Sequence, residues 1–146
     1  MPEKETLQRA RRDAAEGKSP STQAGEFVRE EIHHVRRGKH GARSAKQAIA
    51  IGLSKARRAG VKLPPPRRGT TSSSTRRQAK RDLSRSRKSR RTSARRARAV
   101  RGALKREPRS SASRRSISRQ ARTAAHQRSA RSRSQAARKA ARTRRR

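Results

Sequence analysis

Three stretches in the first half of the chain carry apolar residues at helical spacing, and each is followed by a glycine. From Glu3 to Glu16, Leu7, Ala10 and Ala14 share one face, Pro2 fits a first turn and Gly17 a stop. One large apolar side chain holds little, so this segment predicts a short, weak helix that frays or runs as an extended lead-in. The second stripe is Ala24, Phe27, Val28, Ile32 and Val35, preceded by Ser19 as N-cap and Pro20 at the first helical position, and closed by Gly38. The third runs from Ser44 to Gly60. Ser44 and Gln47 have capping-box spacing, and Ala45, Ala48, Ile49, Gly52, Leu53 and Ala56 recur at three- and four-residue steps. Gly60 then provides the left-handed stop that a side chain with a Cβ disfavours.

The pattern predicts an all-α fold: two main helices forming an antiparallel hairpin across the turn Gly38 to Arg43, plus a short leading helix. Gly52, central in its stripe, would admit Phe27 or Ile32 closely. Val61 and Leu63 can fold back before Pro64-Pro65-Pro66 ends regular structure. The expected division is a small helical domain over 1–63, a Pro/Gly/Ser/Thr linker over 64–75 and a basic tail over 76–146. Past Pro66 the sequence is an Arg/Ser/Ala tract whose large aliphatics are Leu83, Val100, Leu104 and Ile117. Ala97, Val100 and Leu104 share a helical face, and Gln120 to Thr143 is rich in Ala and Arg, both good helix formers. The tail is therefore expected to be largely disordered, with nascent helices that firm on a polyanion and are interrupted at Gly102 and Pro108.

Composition sharpens this. Of 146 residues 27% are apolar, with one Phe, no Tyr and no Trp, and the net charge is +37. Such a chain buries too little apolar surface to offset its conformational entropy throughout. A homodimer through the N-terminal helices, or a bound partner, is the expected way to complete the small domain. The charge is divided unequally: residues 1–63 hold 15 Lys/Arg and 7 Asp/Glu, residues 64–146 hold 31 and 2. No apolar run approaches a membrane span. The amphipathic N-terminus faintly suggests an organelle presequence, but Glu3, Glu5, Asp13 and Glu16 argue against it and for a cytosolic protein.

The chemistry follows the charge. A cation every two to three residues matches the phosphate density of a duplex and gains affinity through counterion release. The 27 Arg against 4 Lys of residues 64–146 favour guanidinium forks on phosphates. This composition resembles protamines and the Arg/Ser/Ala tails of bacterial histone-like proteins more than Lys-rich linker-histone tails. Phosphate contacts are expected from Arg57, Arg58, Lys62, Arg67, Arg68, Arg76, Arg77, Arg90, Arg91, Arg95, Arg96, Arg114, Arg115, Arg144, Arg145 and Arg146. Duplex DNA is favoured over RNA because the one Phe lies in a core stripe and base stacking needs exposed aromatics. A helix-turn-helix reading, with Ser44, Lys46 and Gln47 entering a groove, is disfavoured by the long, glycine-bearing turn. Arg-Ser steps at Ser84 to Ser89 and Arg131 to Ser134 would be phosphorylation substrates in a eukaryote.

Enzyme signals are lacking, so no catalytic residue or cofactor is expected. His33, His34 and His40 with Glu30 and Glu31 read as an exposed helix-end cluster rather than a metal site, and the charge order along the second helix is explained by its macrodipole alone. The segments KSPSTQAGEFVREEI (18–32) and GKHGARSAKQAIAIGLSKARRAGVKLPPP (38–66) resemble a family of small, strongly basic bacterial proteins catalogued as a domain of unknown function, over about residues 1–70. The resemblance implies a bacterial protein, often with a basic tail and no established activity. The expected function is sequence-nonspecific DNA binding by a nucleoid-associated, histone-like accessory protein of the bacterial cytoplasm. The alternatives are an RNA- or ribosome-associated protein, or a protein-interaction module that the tail localises.

Overall fold

The computed structural model describes residues 2–85 and 93–144. Among them are seven α-helices: α1 (Lys4–Ala15), α2 (Pro20–Arg36), α3 (Ala45–Arg58), α4 (Ser73–Arg85), α5 (Ala94–Arg106), α6 (Arg114–His126) and α7 (Ala130–Arg144), with a 3-10 turn at Ser110–Ala112. The helices in the first half start and stop where their sequence signals lie. Ser19 and Ser44 are the N-caps of α2 and α3. The Ser44 hydroxyl accepts the Gln47 amide at 3.2 Å, while Gln47 reaches back to the Arg43 amide at 2.6 Å, one residue before the N-cap itself. Gly17, Gly38 and Gly60 follow α1, α2 and α3 with φ of 68°, 75° and 100°, the left-handed stop for which glycine is suited.

α2 and α3 pack as the hairpin. One core cluster joins Ala10, Ala24, Phe27, Ala56 and Val61, flanked by Leu7, Leu53 and Leu63; the second joins Val35, Ala42, Ala48 and Ala112, flanked by Ile32. Val61 and Leu63 thus fold back as their position suggests. Gly52 admits the α2 backbone rather than a large side chain: a Cβ there would lie 2.7 Å from Val28 Cα and 3.0 Å from the Phe27 carbonyl oxygen. The lead-in is a docked helix, not a frayed one. Ala10 is buried and Leu7 packs on the Phe27 cluster, and polar ties add to this small apolar contact. Arg9 pairs with Glu26 at 2.6 Å, and the Glu3 carboxylate accepts Lys39 at 2.7 Å and His34 at 2.9 Å.

The expectation of a largely disordered tail is overturned: helices run through it, and parts of it pack on the hairpin. Serine is one physical reason. Ser72, Ser113 and Ser129 stand just before α4, α6 and α7, and their hydroxyls accept the amides of Thr75, Ser116 and Ser132, each at 3.2 Å. These are N-caps inside what looks like low-complexity sequence, and they add to the helix propensity of Ala and Arg. The α5 helix continues through Gly102 and ends before Pro108, so only the proline interrupts. The other reason is tertiary. The α4 helix lies on α3 with Ala79 and Asp82 buried, and Ala112 joins the second core cluster. Gly41 and Ala42 donate their amides to Leu104 and Pro108 at 2.8 and 3.1 Å, and Arg36 Nε donates to the Ala112 carbonyl at 2.7 Å. The cover expected from a dimer or partner comes in part from the chain's own second half.

Glycines at these contacts give the first tests. A Cβ on Gly41 would run into the backbone carbonyl of Glu107. Gly41→Ala is expected to release residues 104–112, seen as lost amide protection there and at Ala42. Gly52→Ala, which forces α2 and α3 apart, is expected to cost about 1–3 kcal/mol in denaturant unfolding; unchanged stability would mean the helices do not approach at this point. The Glu3 tie is tested by acid. Hydrogen bonds from Lys39 and then His34 lower its carboxyl from 4.5 to about 2. The stabilisation is therefore present above about 4.5 and lost as pH falls through about 2. An NMR titration of Glu3 is expected to show that low midpoint, whereas one near 4.5 would mean the tie is not made in solution.

Candidate nucleic-acid interface

The distribution of acids decides where positive charge faces outward. All seven carboxylates of residues 1–63 have a cationic partner within that segment. Glu5 and Glu26 pair with Arg9, Asp13 and Glu16 with Lys18, Glu3 with Lys39, and Glu30 and Glu31 with Lys55. Residues 64–146 hold two acids, Asp82 and Glu107. Asp82 is buried and turned inward, accepting the Ser54 hydroxyl at 2.6 Å and the Gln78 amide at 3.1 Å. Residues 108–146 contain 14 Lys/Arg and no acid.

The expected phosphate ligands are placed differently from one another. Arg57 is buried. Its guanidinium donates to the Leu63 and Pro64 carbonyls at 3.2 and 3.3 Å, securing the fold-back, and burial lowers its pKa despite the opposing pull of Asp82. Arg76 is half-buried and donates to the Pro66 carbonyl at 3.2 Å, and Arg58, though exposed, donates to the Ser54 carbonyl at 3.3 Å. Lys62, Arg67, Arg68, Arg77, Arg95, Arg96, Arg114, Arg115 and Arg144 are exposed. Arg90, Arg91, Arg145 and Arg146 lie outside the described residues.

Packing also assembles cations that the sequence does not group. A groove between the start of α3 and α6 is lined by Arg43, Ser44, Lys46, Arg119, Gln120 and Thr123. A second hollow on α6 is lined by Arg115, Arg119, Arg122 and His126. Arg119 belongs to both, so a basic track runs from the α3 N-terminus along α6. The Arg115/Arg119/Arg122 spacing was readable as one helical face; their meeting with Arg43 and Lys46 was not, because it depends on docking across more than 70 residues. Ser44 and Lys46 do line a groove, but its opposite wall is α6, and Gln47 is engaged in capping. The α7 helix adds Arg131, Arg133, Arg138 and Arg142, all exposed.

The helix-end cluster is not exposed as expected. Glu30, Glu31 and His34 are buried and His40 is half-buried, while His33 alone points outward. The macrodipole does not account for this. Lys55 Nζ sits 2.6 Å from Glu31 Oε2 and 3.5 Å from Glu30 Oε1, so a lysine from α3 draws both carboxylates into the hairpin.

Residues 17–67 match a family of unknown function, DUF6496. This is where the resemblance seen in the sequence falls, narrower than 1–70, and it spans α2, α3 and the polyproline turn. No curated protein and no solved structure matches the chain. No described helix is long and apolar enough to cross a membrane.

The anchoring of α4 yields a test. Asp82→Ala removes a buried acceptor and leaves Ser54 without it, which is expected to cost about 1–3 kcal/mol. Hydrogen exchange is expected to show α4 amides losing protection while the α2–α3 hairpin keeps it. Equal loss in both would show that α4 is not separately docked.

Proposed function

We propose that this protein binds duplex DNA without sequence preference, as a nucleoid-associated accessory protein of the bacterial cytoplasm. The reading is carried by one observation: beyond Pro108, helices α6 and α7 present cations with no acidic residue among them. The partner that releases most counterions on meeting a surface this rich in cations and free of acidic side chains is a polyphosphate backbone. The track from Arg43 and Lys46 to Arg119 and Arg122 gives the backbone a direction of approach, with the α3 N-terminus contributing the positive end of its dipole. Phe27 is 1% exposed, which leaves no Phe, Tyr or Trp to stack on an unpaired base and favours a duplex over single-stranded RNA.

Binding measured over a range of salt concentration tests this. With about ten cations engaged, log K is expected to fall with log salt at a slope near −9, and the combined change Arg115→Ala, Arg119→Ala and Arg122→Ala is expected to reduce that slope by about 3. A nearly flat slope would sink the proposal. Competition between duplex DNA and structured RNA at matched salt separates the RNA-associated alternative.

A further inference from the structure

The cluster at the α2–α3 turn has a chemistry that the basic surface does not use. Glu31, His34 and His40 bring a carboxylate oxygen and one nitrogen from each ring to within 4.8 Å of one another. Glu31 is 0% exposed, and neither of its oxygens accepts a hydrogen bond of normal geometry. Lys55 lies 2.6 Å from Oε2, close but off the hydrogen-bonding direction, and shares its charge with Glu30 at 3.5 Å. Two buried carboxylates thus face one ammonium.

The imidazoles are held from behind. His40 Nδ1 lies 3.0 Å from the Gly41 carbonyl, which can only accept, so Nδ1 carries a proton. His34 Nε2 lies 2.9 Å from the Glu3 carboxylate and carries a proton for the same reason. In each neutral ring the other nitrogen is then a lone pair. His40 Nε2 lies 3.1 Å from Glu31 Oε1 but off the hydrogen-bonding direction, and His34 Nδ1 stands 3.8 Å from Glu30 Oε1. Two acceptors then stand side by side at His40 and Glu31 with no hydrogen bond joining them, an arrangement that a shared cation would stabilise. A ring N–H fixed by a carboxylate or a carbonyl, with the opposite nitrogen turned inward, is the usual support of a metal-binding histidine. The 3.1 Å separation is close to the ~3.3 Å edge of a tetrahedron with ~2.0 Å bonds.

We propose that Glu31, His34 and His40 bind one divalent transition-metal ion, of which zinc suits the nitrogen and oxygen ligand set. Glu31 supplies Oε1, His40 supplies Nε2 and His34 supplies Nδ1, with Glu30 beside them. Lys55 is the competing cation, and the ion reaches the site past the partly exposed His40 and Lys55. The bound ion clamps α2 to its following turn, independently of any nucleic acid.

Calorimetric titration of the full chain, freed of nucleic acid and metal, with Zn2+ tests this, and Co2+ supplies a visible spectrum of the ligand field. One equivalent is expected to bind. Glu31→Gln and His40→Ala are each expected to weaken it at least tenfold, His33→Ala to leave it unchanged, and Lys55→Met to tighten it by removing the competitor. His40→Ala keeps the test decisive should Glu31→Gln fail to fold. Lack of a one-equivalent site in both the natural chain and Lys55→Met overturns the proposal, as does binding that survives His40→Ala. In either case the contact of His40 with Glu31 is a structural tie of the turn to α2.

Discussion

At Gly52 the backbones of α2 and α3 come so close that a single methyl group would strike Val28 Cα. This approach is what makes a fold feasible in a chain with one Phe. Alanines have little reach, and Ala24, Ala48 and Ala56 fill a core only if the helices that carry them are drawn together. The same approach places Lys55 against α2. Side chains on a helix lean toward its N-terminus, so the Lys55 stem runs back along α3 to Glu30 and Glu31. A core this thin in apolar matter takes in charge, and it tolerates the charge because Asp13 pairs with Lys18, Glu30 and Glu31 share Lys55, and Asp82 accepts hydrogen bonds from Ser54 and Gln78.

The charge partition follows from the same packing. Acids are needed where helices must be held at short range without much apolar surface: Glu26 to Arg9, Asp13 to Lys18, Glu3 to Lys39, and Asp82 to Ser54. Each of these ties lies within the packed half or at its seam with α4. Beyond Pro108 no such tie is available, and α6 and α7 rely on Ser113, Ser129 and intrinsic propensity for their helicity. Acidic side chains are therefore concentrated in the packed half and at its seam with α4, and beyond Pro108 the charged side chains are cations, with His126 the one further titratable side chain.

What could be read from the chain follows the range of the interaction. The stops at Gly17, Gly38 and Gly60, the cap at Ser44 and the fold-back of Val61 and Leu63 are local, and composition does not disguise them. Burial of Glu30 and Glu31 was not legible, since the helix dipole suffices for their placement within α2 and the Lys55 that draws them inward comes from α3. The tail helices were hidden for a different reason: Ser72, Ser113 and Ser129 are capping residues in a tract where about every fifth residue is Ser, so periodicity cannot single them out. Docking of Ala112 on Val35 and Ala42 links positions some 70 residues apart through one methyl group and a few backbone hydrogen bonds, a signal no window of sequence contains.

That docking gives the basic second half a shape that electrostatics cannot. Arginines repel one another, and left to charge alone α6 would stand away from Arg43 and Lys46. Gly41 closes the distance: without a Cβ it lets the Glu107 carbonyl lie against the turn, and the Leu104 and Pro108 carbonyls then take the Gly41 and Ala42 amides. Ala112 seals the contact and α6 begins two residues later. The basic track through Arg119 is thus assembled by an uncharged seam. The cations define what kind of partner the surface can take, and the seam defines how they are presented to it.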